Sequence, residues 1–372
     1  SDGLGLLLLA REAARAGPAA TARSHPTMQI LHETTLWALL DRAVGTVRTV
    51  RLFEALQIHP SLLRPRSDTV SRVELAQALN MLLFEDVTRR VPMALAYVGD
   101  AVRAGRKLVF DHGALRTVAA DCGALPAGCE AFRRILEPLG FEVRGVYPLD
   151  RLGMTGRAFA HRDLPDHVAQ FFVSELHPER FGADFQAAVQ RTVGGSRDPL
   201  PLLAKALLCD LEQRGELPFA AAVQLLPNLV GCFDRQHGEP TWADYQTMLR
   251  ESAEMAWIAT EGNAFNHATD RVTDVHTVAA EQRRLGRPMK DVVEVSASGR
   301  VRQTAFRAAM VERLFVGDGG ALVAATVPGS FHEFITRDEE APGVLDLRFD
   351  SGNATAIFGM TSQLPQPATA GG

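Results

Sequence analysis

The chain has 372 residues and a mass of 40.4 kDa, with 46% hydrophobic and 22% charged side chains, enough for one large domain or a few small ones with proper cores. A net charge of −5, with Lys and Arg scattered along the chain, leaves no basic footprint for nucleic acid or an anionic membrane. The longest apolar run, Leu4 to Ala10, falls far below the ~20 residues of a membrane-spanning helix, and a soluble, cytoplasmic protein is expected.

Residues 1–27 lack an initiator Met, are rich in Ala, Arg and Gly, and precede Met28; they are set apart as a disordered leader. Over 28–105 apolar residues recur at helical spacing (Leu36, Leu39, Leu40, Val44; Leu75, Leu79, Leu82, Leu83), which predicts a helical N-terminal layer. In 106–163, Lys107 to Val118 reads as a strand, Cys129 to Leu139 as a helix stopped by Gly140, and Phe141 to Tyr147 as a second strand. Residues 164–256 regain a helical period and read as an insertion broken at Gly194, Gly195, Pro199 and Pro201. In 257–350, Asn263 to Val272 reads as a strand and Val275 to Leu285 as a helix ended by Gly286, with three more strand-like runs up to Arg337. The Gly-, Pro-, Ala- and Thr-rich residues 351–372 read as a flexible tail. Cys122, Cys129, Cys209 and Cys232 have neither disulfide-framework nor zinc spacing and are taken as reduced core thiols.

Two strand-like openings share the pattern F-[DN]-H-[GA]-x-x-R: Phe110 to Arg116 and Phe265 to Arg271. Each is followed by a helix, a Gly and further strands. This predicts an α+β fold with duplicated βαβββ modules, a curved sheet around a cavity, and equivalent positions disposed about a pseudo-twofold axis. Strand alternation places Phe110, His112, Ala114 and Arg116 on one face, and Phe265, His267, Thr269 and Arg271 on one face of the second strand. The imidazoles suit a metal and the Arg116 fork suits a carboxylate. Asp111 and Asn266 then point away from the imidazoles and are assigned to orienting backbone.

Two imidazoles do not complete a catalytic metal site. In Phe331 to Arg337 only one of His332 and Glu333 can face the cavity, and a carboxylate among Phe and Ile is costly to bury unless paired or bound to a cation, which favours Glu333 over a salt bridge to an Arg. Two His and one carboxylate with open positions is the pattern of non-haem Fe(II) oxygenases. His161, His167, His177, His237 and His276 fall in polar stretches and are read as solvated.

The residues from Lys107 to Arg337 resemble a shorter branch of the 2-oxoadipate dioxygenase/decarboxylase (hydroxyglutarate synthase) family, related in fold to vicinal oxygen chelate enzymes. The resemblance rests on His112 to Arg116, Asn263 to His267, Gly286 to Asp291, Arg302 to Phe306 and the Glu333 strand. It implies Fe(II) held by His112, His267 and Glu333, a substrate carboxylate held by Arg116, and a small 2-oxo acid oxidised by O₂, most simply 2-oxoadipate to 2-hydroxyglutarate and CO₂. Arg302 with Thr304, and Lys290, are candidate contacts to a second carboxylate, against structural ion pairs with Asp291 or Glu294. A non-redox divalent-metal isomerase, lyase or hydrolase, or a metal- or small-molecule-binding protein, stays open as an alternative.

Overall fold

The computed structural model describes residues 31–362 and 366–367, so the leader expected at 1–27 lies outside the described residues. Helices α1 (Thr35–Val44), α2 (Thr46–Ala55), α3 (Arg72–Arg90) and α4 (Pro92–Arg103) occupy the region of helical spacing. The α3 start is written locally: the Ser71 side chain accepts from the Glu74 N–H while the Glu74 carboxylate accepts from the Ser71 N–H, satisfying two otherwise orphaned donors. Pro92 opens α4, where its fixed φ and missing N–H cost nothing.

A curved sheet of eight strands follows. Its members are β1 (Phe110–Val118), β2 (Phe141–Leu149), β3 (Met154–His161), β4 (Gln170–Leu176), β5 (Phe265–Arg271), β6 (Glu294–Val295), β7 (Val301–Ala305) and β8 (Phe331–Arg337). Their spatial order is β2-β3-β4-β1-β5-β8-β7-β6. The order reads the same outward from the β1–β5 junction: β1 pairs parallel with β4, β5 pairs parallel with β8, and β1 and β5 meet antiparallel. The duplicated βαβββ arrangement is therefore present, with α5 (Glu130–Leu136) and α11 (Val275–Arg284) as the equivalent helices. Between the modules lie α6 (Ala183–Val193), α7 (Leu202–Arg214), α8 (Phe219–Gly231), α9 (Trp242–Glu251) and α10 (Ala253–Glu261).

Two departures from the expected layout bear on the inner face of the sheet. Strand β4 lies where helix is predicted, because a strand buried at all but one position, such as Gln170 to Leu176, lacks the alternation that marks a half-exposed one. The start of the expected tail is instead a helix, α12 (Ser351–Phe358), capped by Asp350 and packed on the sheet with Ile357 and Phe358 buried. No described helix is long and apolar enough to cross a membrane. Cys122, Cys129 and Cys232 are buried free thiols, whereas Cys209 is exposed.

The β1–β5 register slips by one residue at Asp111 and again at Asn266, the same position in each repeat. A bulge inverts the alternation on one side of it. Phe110 and Phe265 are therefore turned to the outer face, contrary to simple parity, where Phe110 meets Phe84 of α3 and Phe265 meets Phe171 and Phe233. Phe265 lies directly over Gly113: a Cβ there would stand 2.1 Å from the ring. Gly113→Ala is accordingly expected to destabilise the protein by about 2 kcal/mol or more, read as a lower Tm.

His161 is not solvated as predicted. It ends β3 fully buried, with Nε2 on the Leu139 carbonyl at 2.8 Å, and burial pushes its pKa down to about 4. Protons therefore bind the unfolded chain (pKa about 6.5) more readily than the native one, and stability falls as pH drops through that window. Between pH 7 and pH 5 the loss from this group is about 2 kcal/mol. Urea unfolding at the two pH values checks this, with the difference shrinking in His161→Gln.

Candidate metal centre

Pairing places His112 and Ala114 of β1, His267 and Thr269 of β5, Glu333 of β8 and Ala305 of β7 on one face, the inner one. His112, His267 and Glu333 are buried, and one ligand atom from each lies within 4.8 Å of the others. His267 Nε2 is 3.3 Å from Glu333 Oε2, and His112 Nε2 is 3.7 Å from Glu333 Oε1. Glu333 Oε1 accepts from Gln303 Nε2 at 2.6 Å, while Oε2 is buried with no hydrogen-bond partner. A buried carboxylate oxygen with no hydrogen-bond partner beside two imidazoles suits a cation, and the three groups fit a divalent ion in donor type and number. Burial raises the Glu333 pKa and lowers that of His267 well below its ordinary value, with the nearby His112 and Arg116 adding to the latter. The imidazole is thus neutral, as a ligand must be.

His332, the neighbour weighed against Glu333, points to the outer face among Phe84, Tyr97 and Phe334. Both of its ring nitrogens lack partners.

Arg116 shares the inner face with His112 and is wholly buried. Its guanidinium lies between the rings of Trp257 and Phe358, 4.9 and 4.5 Å from their centroids, and Nη2 donates to Thr361 Oγ1 at 2.9 Å. Nε and Nη1 have no partner, and burial lowers the pKa to about 10. No carboxylate accepts from Arg116 among the described residues.

The other predicted contacts fall elsewhere. Arg302 and Thr304 pair with Thr336 and Phe334, which puts them on the outer face; Arg302 is bidentate to Asp338 at 2.7 Å. Lys290 is ion-paired with Glu294, the structural alternative, and its ammonium also reaches the Ala356 carbonyl of α12 at 3.4 Å. Strand parity, which the polar character of these segments does not reveal, decides this: the inner-facing member of the Arg302–Gln303–Thr304 run is Gln303.

Asp111 and Asn266 are also corrected. The bulges bring each back toward its own neighbour: Asp111 Oδ1 is 2.8 Å from His112 Nδ1, and the Asn266 amide is 2.9 Å from His267 Nδ1. Burial opposes ionisation of Asp111, but Arg337 and Arg271, with His112, hold its carboxyl well below the usual range. The shared [DN] of the repeat was the signal for both residues. Nothing in the sequence marked Phe358 and Thr361 of the closing segment as neighbours of Arg116.

The cavity next to the triad measures about 20 Å³ and is lined on one side by Phe172, Phe349 and the α12 residues Ala354, Ile357 and Phe358. That is room for a water or an ion. Asn353 of α12 donates to Gln303 Oε1 at 3.1 Å, so the helix reaches Glu333 through one side chain.

The profile of a family described as 2-oxoadipate dioxygenase/decarboxylase matches residues 71–340. No protein of curated function matches the chain in sequence. A glyoxalase superfamily protein from Ralstonia eutropha JMP134 is similar at 55% identity and a TM-score of 0.82, over 85% of this chain and 98% of the other. The hydroxyglutarate synthase of Oryza sativa, solved with 2-oxoadipate, is similar at 18% identity and a TM-score of 0.59, over 81% and 97% of the two chains. That of Pseudomonas putida, also with 2-oxoadipate, is similar at 19% identity and a TM-score of 0.57, over 79% and 74%. The last two likenesses are of fold.

Proposed function

The chain belongs to the 2-oxoadipate dioxygenase/decarboxylase family, and from that premise we propose that it is an Fe(II)-dependent dioxygenase of a small 2-oxo acid, converting 2-oxoadipate and O₂ to 2-hydroxyglutarate and CO₂. The observation that carries this is the unpartnered Glu333 Oε2 beside the imidazoles of His112 and His267 in a buried cluster. Iron at such a site supplies O₂ activation coupled to loss of the 1-carboxylate, with one oxygen atom entering the new carboxylate and the other the adjacent carbon as hydroxyl.

The protein's own part is holding, aiming and drying. His112 and His267 offer Nε2 and Glu333 offers Oε2. Four residues of strand, about 13 Å, separate the Cα atoms of His112 and Arg116. With its long side chain reaching back, Arg116 meets the carboxylate remote from the ion, to which its unpartnered Nη1 donates, and a two-point fork forms when Nη2 exchanges Thr361 for the second carboxylate oxygen. That pairing fixes the reacting methylene along the pocket axis. Ile357 and Phe358 line the pocket beside the triad and shield a bound oxo acid from water.

The test is anaerobic loading with Fe(II), followed by O₂ uptake and CO₂ release across 2-oxo acids of increasing length. Equimolar uptake and release, highest with 2-oxoadipate, is expected. Turnover without O₂ uptake would overturn the dioxygenase reading in favour of Lewis-acid chemistry.

A further inference from the structure

The two imidazoles occupy equivalent places in the repeat, but their supports are not equivalent. In both modules the residue before the histidine is bulged out of the β1–β5 ladder and turned to the Nδ1 edge of the ring. On one side it is a carboxylate and on the other an amide. Asp111 accepts from His112 Nδ1, and an ionised carboxylate can only accept, so it fixes the Nδ1–H tautomer and leaves the Nε2 lone pair toward Glu333. Thr269 Oγ1, 3.1 Å from His112 Nε2, is positioned to donate to that lone pair. Asp111 is itself held: Arg337 reaches both of its oxygens at 2.9 Å and Arg271 reaches Oδ2 at 2.9 Å. Asn266 carries no charge, and its Oδ1 is buried with no partner while Nδ2 lies against His267 Nδ1. Turning the amide by half a revolution gives that oxygen the Nδ1–H of His267 and frees Nε2 for an ion.

We propose that Asp111 and Asn266 are the positioning residues of the metal centre, each fixing its imidazole with Nε2 inward, and that the Asp111 carboxylate makes His112 the stronger ligand of an unequal pair. The inference rests on the metal reading above and deepens it. A carboxylate behind an imidazole raises the basicity of the far nitrogen, whereas an amide orients the ring and adds little charge. The chain has thus kept the bulge in both copies and placed negative charge behind only one.

Co(II) titration of the metal-free protein tests this, because the ion's visible absorption reports ligand field as well as affinity. Asp111→Asn is expected to weaken Co(II) binding by about 10–100-fold and to shift the absorption bands. Asn266→Leu is expected to weaken it by about 10-fold, and Asn266→Asp to bind more tightly than Asn266→Leu. Near-ultraviolet circular dichroism confirms that each variant is folded. Should Asp111→Asn fail to fold, with Arg337 and Arg271 left uncompensated, the Asn266 pair decides. Binding within threefold of the unaltered protein, with unchanged bands, in every folded variant overturns the inference while leaving the metal reading intact. An unaltered protein that binds no Co(II) removes both.

Discussion

Glu333→Ala is expected to lose the metal altogether. Of the three groups that converge in the pocket it is the only carboxylate, and two imidazoles alone do not offset the cost of placing a divalent charge in a buried site. Loss of a support behind a ligand typically costs about 10–100-fold in metal affinity, so loss of the ligand itself should cost more. Glu333→Gln is the sharper version, since it keeps the shape and removes the charge. Because burial raises the Glu333 pKa, the same change should leave the metal-free protein as stable as before, or slightly more so. Metal content after anaerobic loading, measured beside the Tm of the metal-free forms, separates the two effects. Retention of metal at full occupancy in either variant would remove Glu333 from the site. His332 could not take over, since it lies on the far side of β8 among aromatic rings.

Arg116→Met is expected to spare the metal and damage substrate use selectively. The guanidinium is covered by two aromatic rings and one hydroxyl, with two of its nitrogens, Nε and Nη1, unsatisfied. Removing a buried partner of a charge pair costs about 2–5 kcal/mol, so kcat/KM for 2-oxoadipate should fall by about 30-fold to several thousand-fold. For 2-oxohexanoate, which lacks the remote carboxylate, the fall should be small. The metal-free variant should also melt higher, because a buried charge without a counter-ion is exchanged for an apolar chain of similar length. Equal losses on both oxo acids would show that Arg116 does not recognise the remote carboxylate.

Much of this centre was legible from residues alone. The twice-repeated Phe-[Asp/Asn]-His motif announced a duplication, and duplication about a twofold axis forces equivalent side chains together, which selected His112 and His267 without any knowledge of the sheet order. A lone carboxylate in an apolar strand selected Glu333, because its burial makes no energetic sense unpaired. Those inferences used only periodicity and the cost of desolvation, both local properties of the chain.

Other features depended on what the chain packs against. A one-residue bulge is a property of a strand pair, so the reversal that sends Phe110 and Phe265 outward and returns Asp111 and Asn266 to their histidines cannot be seen in either strand singly. Arg302 and Gln303 are adjacent and both polar; the register with β8 alone decides which one meets Glu333. Helix α12 is composed like a tail, and its placement depends on Phe358 finding Arg116 and Asn353 finding Gln303, partners more than 40 residues away in sequence. The amino-acid order determined which groups converge, through repetition and burial. Tertiary contact determined which groups aim them and what closes over them, because pairing register and long-range packing exist only once separate segments have met.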